Sequence, residues 1–194
     1  MLAEPSEESA LLEACRASRS RSLFPAVLLA LNTCMRYSEI RLLRWEQIDL
    51  KSCTVTVGLS KTESGTGRVL ALNDRAVAIL GFWASVFPDR DPSHFVFASE
   101  RYGASGDGLT VVYDIDPTKP IGRWKEAWES AKVRAGVCCR FHDLRHTGCT
   151  RMLEAGLPSR LWRRSWEGAR APRYAWRYAT DTLDRLHSDR PWMP

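Results

Sequence analysis

The chain has 194 residues, 44% of them hydrophobic and 26% charged, the balance of an ordinary globular protein with one core. Its longest apolar run, Phe24 to Leu31, is interrupted by Pro25 and falls far short of the ~20 residues a membrane span needs. The first eight residues carry three glutamates and no basic residue, the wrong sign for a signal or transit peptide, so a cytoplasmic protein is expected. None of the six cysteines forms a CxxC pair and the four histidines complete no metal pattern. Reduced thiols, no metal and no cofactor are the expectation. The net charge is +5, and it is unevenly spread: Arg134 to Arg190 contains twelve arginines against six acidic residues. Arginine forks match phosphate oxygens in pairs, so this half suits either a polyanionic partner or a solvated charged face.

In chain order, Ser6–Ala17 is predicted as a helix, with glutamates in its first turn and Leu11, Leu12 and Cys15 on one side. Leu23–Asn32 is predicted as a largely buried helix with Pro25 in its first turn. Ser38 is a candidate cap for a third helix, with Ile40, Leu42, Leu43 and Trp45 as its apolar side. The period then shortens. Cys53–Val57 and Arg68–Leu72 read as strands of a hairpin closed by a polar loop from Ser60 to Gly67. His94–Ala98 is a candidate third strand, and Asn73 can cap a helix reaching about Val86. Glu100–Gly108 is expected to be a glycine-rich surface loop, followed by irregular chain to about Ile121. Helices are predicted over Gly122–Ala135, His142–Ala155, Ser159–Trp166 and Arg173–Leu186, with Gly136 and Gly156 at helix ends. The expected fold class is mainly α with a small antiparallel β-sheet (α+β), in a single domain over residues 1–194.

Four places carry candidate chemistry. In Phe141-His142-Asp143-Leu144-Arg145-His146-Thr147, a helix would put His142 and Arg145 on one face, a proton carrier beside a fixed cation. A helix cap with a salt bridge would use the same residues. Arg36 sits at the junction of two helices, where it can project into a cleft or pair with Glu39. Lys61 opens the hairpin loop, where it can reach a substrate or remain solvated. Tyr174 and Tyr178, four apart, would share a helix face as packing residues or as a nucleophile.

Taken in order, these elements resemble the tyrosine recombinase (phage integrase) family. Thr33-Cys34-Met35-Arg36-Tyr37-Ser38-Glu39-Ile40 resembles its "TGxRxSEL" box, and Lys61-Thr62 before a strand its "KT…R.VPL" hairpin. His142-Asp143-Leu144-Arg145-His146-Thr147 matches its "HDLRHT" box, and Gly168 to Tyr178 resembles its "GHxxxxxTxxY" segment. The resemblance runs from about Pro5 to Leu186. It implies a catalytic domain that breaks and rejoins double-stranded DNA through a 3′-phosphotyrosyl link, working as a homotetramer without metal or cofactor. The implied roles are Tyr178 as nucleophile, with Tyr174 as the alternative, Arg36 and Arg145 on the non-bridging oxygens, Lys61 protonating the leaving 5′-oxygen, and His142 assisting proton transfer. The family's N-terminal DNA-clamp domain is expected to be absent. Two departures stand out. Cys34 replaces a glycine, which a regular backbone would tolerate. Ala169 replaces a second histidine, with Trp166 nearby, so a catalytically impaired DNA-binding remnant is an alternative, as is a type IB topoisomerase-like enzyme that shares the catalytic plan.

Overall fold

The computed structural model describes residues 5–60, 65–103 and 112–154. Helix α1 spans Pro5–Arg16, α2 Leu23–Thr33 and α3 Tyr37–Arg41; a 3-10 turn follows at Trp45–Gln47. Strands β1 (Ile48–Asp49), β2 (Thr54–Thr56) and β3 (Val69–Ala71) precede α4 (Asp74–Ser85). Strands β4 (Ala98–Gly103) and β5 (Val112–Pro120) lead to α5 (Lys125–Ala135) and α6 (Phe141–Glu154). The expected mainly helical, antiparallel α+β class is what is found. The predicted helices Ser159–Trp166 and Arg173–Leu186, and with them Trp166, Ala169, Tyr174 and Tyr178, lie outside the described residues, as does Lys61.

The core is built around α2. Every residue of this helix except Phe24 is buried, because α1, α4 and α6 all pack against it. A helix apolar on all sides can be accommodated only at the centre of a bundle. Each fully buried leucine or valine on it contributes roughly 1.5–3 kcal/mol of transfer free energy. Asn32, the one amide on α2, donates to the Leu28 carbonyl at 2.8 Å and accepts from Asn73 Nδ2 at 2.7 Å. Asn73 caps α4 as expected, its Oδ1 accepting from Ala76 N at 2.9 Å, so one polar pair seats α4 on α2.

Strands β1, β2 and β3 form one antiparallel sheet, with Val55 opposite both Ile48 and Leu70. Three expectations need correction here. The third strand of this sheet is Ile48–Asp49, not His94–Ala98. The latter segment makes an isolated bridge, Phe95 to Arg44, and bonds out irregularly on its other side to Pro117 and Ile121. The region expected as loop and irregular chain before Ile121 instead holds a second sheet, the β4–β5 ribbon. Its sequence hides it: β5 contains Pro117 and Pro120, and its other residues are mostly polar. The prolines are tolerated because the register shifts between Ala98 and Ser99, opposite this stretch, so neither interrupts a regular ladder. Finally, α3 is a single turn that starts after Arg36 rather than after a Ser38 cap, and Trp45 belongs to the 3-10 turn.

Candidate active site

The site is assembled where the end of α2, the start of α3, the β2–β3 hairpin and α6 meet. The backbone turns sharply between α2 and α3. Cys34 takes the left-handed conformation (φ 54°, ψ 24°) and its N–H closes α2 onto Ala30 O. The premise of a regular backbone at this residue is therefore wrong: this is a position where glycine is relieved of a Cβ clash and cysteine is not. Two residues later Arg36 is extended (φ −73°, ψ 152°), and α3 begins.

Arg36 is fixed by Glu39. The carboxylate reaches back to accept from Arg36 N at 2.8 Å and from Arg36 Nη1 at 2.9 Å. The ion pair that the sequence offered as an alternative to a functional arginine thus exists, but its acid partner is itself part of a larger arrangement. Glu39 also accepts from Ser60 Oγ at 2.7 Å and from both terminal nitrogens of Arg68, at 3.0 and 2.6 Å. Burial alone would raise the Glu39 pKa. The Arg68 fork, the Arg36 backbone N–H and Ser60 outweigh it and hold the carboxyl at about 2. Arg36 Nη1 additionally donates to Ser60 Oγ at 3.1 Å.

This arrangement also anchors the hairpin loop. Ser60, immediately before Lys61, is tied to Glu39 and Arg36. At the other end Arg68 Nη1 donates to Gly65 O at 2.7 Å, and a Cβ on Gly65 would collide with Ser60 Oγ. The loop that carries Lys61 therefore has both ends pinned to the carboxylate that orients Arg36. Lys61 itself is among residues 61–64, outside the described set. Sequence reasoning missed Arg68, Ser60 and Gly65. The one available signal was a charged residue opening an otherwise apolar strand.

Helix α6 brings the second arginine. Its first turn is set by Asp143, whose Oδ2 accepts from Arg140 N at 2.9 Å while Arg140 Nη2 reaches Oδ1 at 2.9 Å. Gly148 lets α6 lie directly on α2: a Cβ there would collide with the Leu31 carbonyl oxygen and sit 3.1 Å from Cys34 Sγ. Phe141, just before His142, meets Tyr37, just after Arg36, edge to face at 5.0 Å, and stacks on Trp124 at 6.0 Å. Both boxes are thus locked by the aromatic residues beside them, a contact that sequence spacing could not indicate.

Arg145 is 5% exposed. Its pKa is lowered from the ordinary arginine value, first by burial and then by the positive charge of Arg36; Cys149, Glu39 and Cys34 pull the other way. Arg36 and Arg145, from opposite ends of the described chain, therefore lie close enough to feel one another. His142 shares the exposed side of α6, its ring T-shaped against His146 at 4.9 Å. Burial, His146 and Arg145 all lower its pKa, so it is neutral at pH 7 and able to accept a proton. A guanidinium fixed by a buried carboxylate (Arg36), a second close enough to feel its charge (Arg145), and a neutral imidazole on the same helix as the second make a receptor for a tetrahedral anion such as a phosphodiester. Among the described residues no group of three His, Cys, Asp or Glu is placed to hold a metal ion, and no helix is long and apolar enough to cross a membrane.

Residues 3–163 match the model of the phage integrase family. The chain belongs to that family. It is 31% identical over 160 residues, 80% of its length, to the integrase of Salmonella phage P22, and 33% identical over 129 residues to a shufflon-specific DNA recombinase of Escherichia coli. It spans only about a third of these curated relatives, 37% and 27% of their lengths. Among solved structures it resembles the Tn1549 transposon integrase in complex with transposon right end DNA (TM-score 0.62, 16% identity, covering 96% of this chain and 66% of that one). It also resembles XerA recombinase (TM-score 0.60, 19% identity, 98% and 66%) and the catalytic domain of bacteriophage HP1 integrase (TM-score 0.55, 19% identity, 97% and 91%). At these identities the likeness establishes the fold of a tyrosine recombinase catalytic domain.

Proposed function

We propose that this integrase-family chain is a catalytic domain that breaks and rejoins double-stranded DNA through a covalent phosphotyrosyl intermediate. The observation that carries the reading is the approach of Arg145 to an Arg36 that the buried Glu39 carboxylate fixes, in a chain of this family. Phosphodiesters cleave so slowly that charge developing on the non-bridging oxygens must be offset strongly. In this reading Arg36 and Arg145 bind those oxygens, Tyr178 attacks phosphorus, and a 5′-hydroxyl leaves with a proton from Lys61. Neutral His142 takes the proton of the tyrosine, whose ordinary pKa near ~10 makes it a poor nucleophile unaided. The phosphotyrosyl link conserves the bond energy, so a 5′-hydroxyl can reverse the step. The Tn1549 integrase is described with transposon DNA, and by likeness double-stranded DNA is the partner here. Assembly as a homotetramer on two duplexes is part of the same proposal.

The test uses a nicked suicide substrate, from which the leaving strand diffuses away and traps the adduct. The wild-type chain forms a covalent protein–DNA adduct and Tyr178→Phe forms none. An adduct that survives Tyr178→Phe but is lost in Tyr174→Phe overturns the choice of nucleophile. Ala169, where the family carries histidine, supports a second reading as a DNA-binding remnant. Salt-dependent DNA binding with no adduct from the wild-type chain would favour it.

A further inference from the structure

Three sulfur atoms meet where α2 abuts α6. Cys34 Sγ lies 3.8 Å from Met152 Sδ and would stand 3.1 Å from a Cβ on Gly148, so it rests on the face of α6 that Cys149 also occupies, and the two thiols interact. Cys34 is buried and Cys149 is half-buried. All six cysteines are free thiols. The phosphate chemistry above uses neither member of this pair. Yet Cys34 precedes Arg36 by two residues, and Cys149 lies one helical turn beyond Arg145 on the same face of α6. The pair thus straddles the two segments that carry the phosphate-binding arginines.

We propose that Cys34 and Cys149 are a peroxide-sensitive modification site, whose disulfide switches off the two-arginine site. The inhibitory consequence rests on the function proposed above; the bond itself does not. The half-buried Cys149 thiolate attacks one oxygen of hydrogen peroxide. The O–O bond breaks, one water leaves after protonation, and a sulfenic acid remains on Cys149. Cys34 then attacks that sulfur as a thiolate. The S–S bond forms, the S–O bond breaks, and a second water leaves with the thiol proton. Two thiols lose two electrons in all, and one peroxide is reduced to two waters.

The surroundings suit this order of events. The Cys34 hydrogen bond and the Arg145 charge lower the Cys149 pKa against its burial, and the same hydrogen bond and burial raise that of Cys34. Cys149 is half-buried and Cys34 is buried, so peroxide reaches Cys149 first, and Cys149 is the attacking thiol and Cys34 the resolving one. Closure brings the sulfurs to ~2.05 Å from non-bonded separation. Cys34 has little room to follow freely, since its backbone is already left-handed and Gly148 already brings α6 against it. The strain is passed to Met35-Arg36 on one side and to the Arg145 turn on the other.

Purified full-length chain is treated with hydrogen peroxide, alkylated, digested without reduction and mapped by mass spectrometry. In parallel its adduct formation on the nicked substrate is measured before oxidation, after it, and after dithiothreitol. A Cys34–Cys149 linked peptide is expected, with adduct formation down about tenfold or more and restored by the reductant, since an ångström-scale misplacement can cost that much. Cys34→Gly and Cys149→Ala are each expected to keep their activity through peroxide. Linkage through Cys15, Cys138 or Cys139 instead, or oxidation that stops at Cys149 sulfinic acid, overturns the pair. A Cys34–Cys149 disulfide that leaves adduct formation unchanged overturns the switch. If the reduced chain forms no adduct at all, the proposed function fails, while the peptide map still decides whether the pair forms.

Discussion

Replacing Glu39 with glutamine isolates the group on which the site depends. The carboxylate is 3% exposed and faces Arg68, which is 1% exposed, at 2.6 Å, as well as Arg36 at 2.9 Å. Glutamine keeps the volume but loses the charge, and it turns an NH2 toward donors that need an acceptor. The magnitude follows from the titration. An ordinary glutamate titrates near 4.5 and this one at about 2, a gap equivalent to about 3 kcal/mol of preference for the charged form in the folded state. Breaking a buried pair from one side costs about 3–5 kcal/mol by general experience, which agrees. The folded pKa lies below the unfolded one, so this stabilisation is fully present above about pH 4.5 and is lost as the pH falls toward about 2. Urea unfolding of wild type and Glu39→Gln should therefore differ by about 3 kcal/mol at pH 7, and the difference should shrink steadily through that acid window. Adduct formation by the variant should fall at neutral pH, because Arg36 loses its anchor. A difference below about 1 kcal/mol at pH 7, or one that does not change through the acid window, would refute the reasoning.

Other consequences follow from the contact between α2 and α6. Gly148→Ala should cost about 1–3 kcal/mol in urea unfolding, because its methyl group meets the Leu31 carbonyl oxygen, a backbone atom that cannot turn aside. The same variant should reduce adduct formation by moving Arg145 away from Arg36. Cys34→Gly, by contrast, should stabilise the chain by up to about 1 kcal/mol, the relief of a left-handed residue less the loss of thiol packing. A thermal melt that shows Cys34→Gly clearly less stable than wild type would mean that the sulfur contacts outweigh the backbone term.

The helices α1, α2, α4, α5 and α6, the β2–β3 hairpin and the family itself were legible in the sequence. Each rests on short-range signals: the apolar periods of Leu11 to Cys15, the Asn73 cap, the alternation around Val55 and Leu70, and the ordered boxes around Arg36 and Arg145. The β4–β5 ribbon was not legible, because a two-stranded ribbon needs no apolar face and its prolines sit where the register shifts. The conformation of Cys34 was not legible either, since cysteine carries no mark of a left-handed turn. Most of the site's construction belongs to the same class. That Glu39 would answer Arg68 as well as Arg36, that Tyr37 would meet Phe141, and that Gly148 would admit α6 onto α2 are relations between segments far apart in the chain. The sequence determined which side chains could bind a phosphate, since that is a matter of charge and functional group. Only the tertiary structure decided that Arg145 comes close to an Arg36 already fixed by a buried carboxylate, because helix packing sets the distance between them and a local pattern does not encode it.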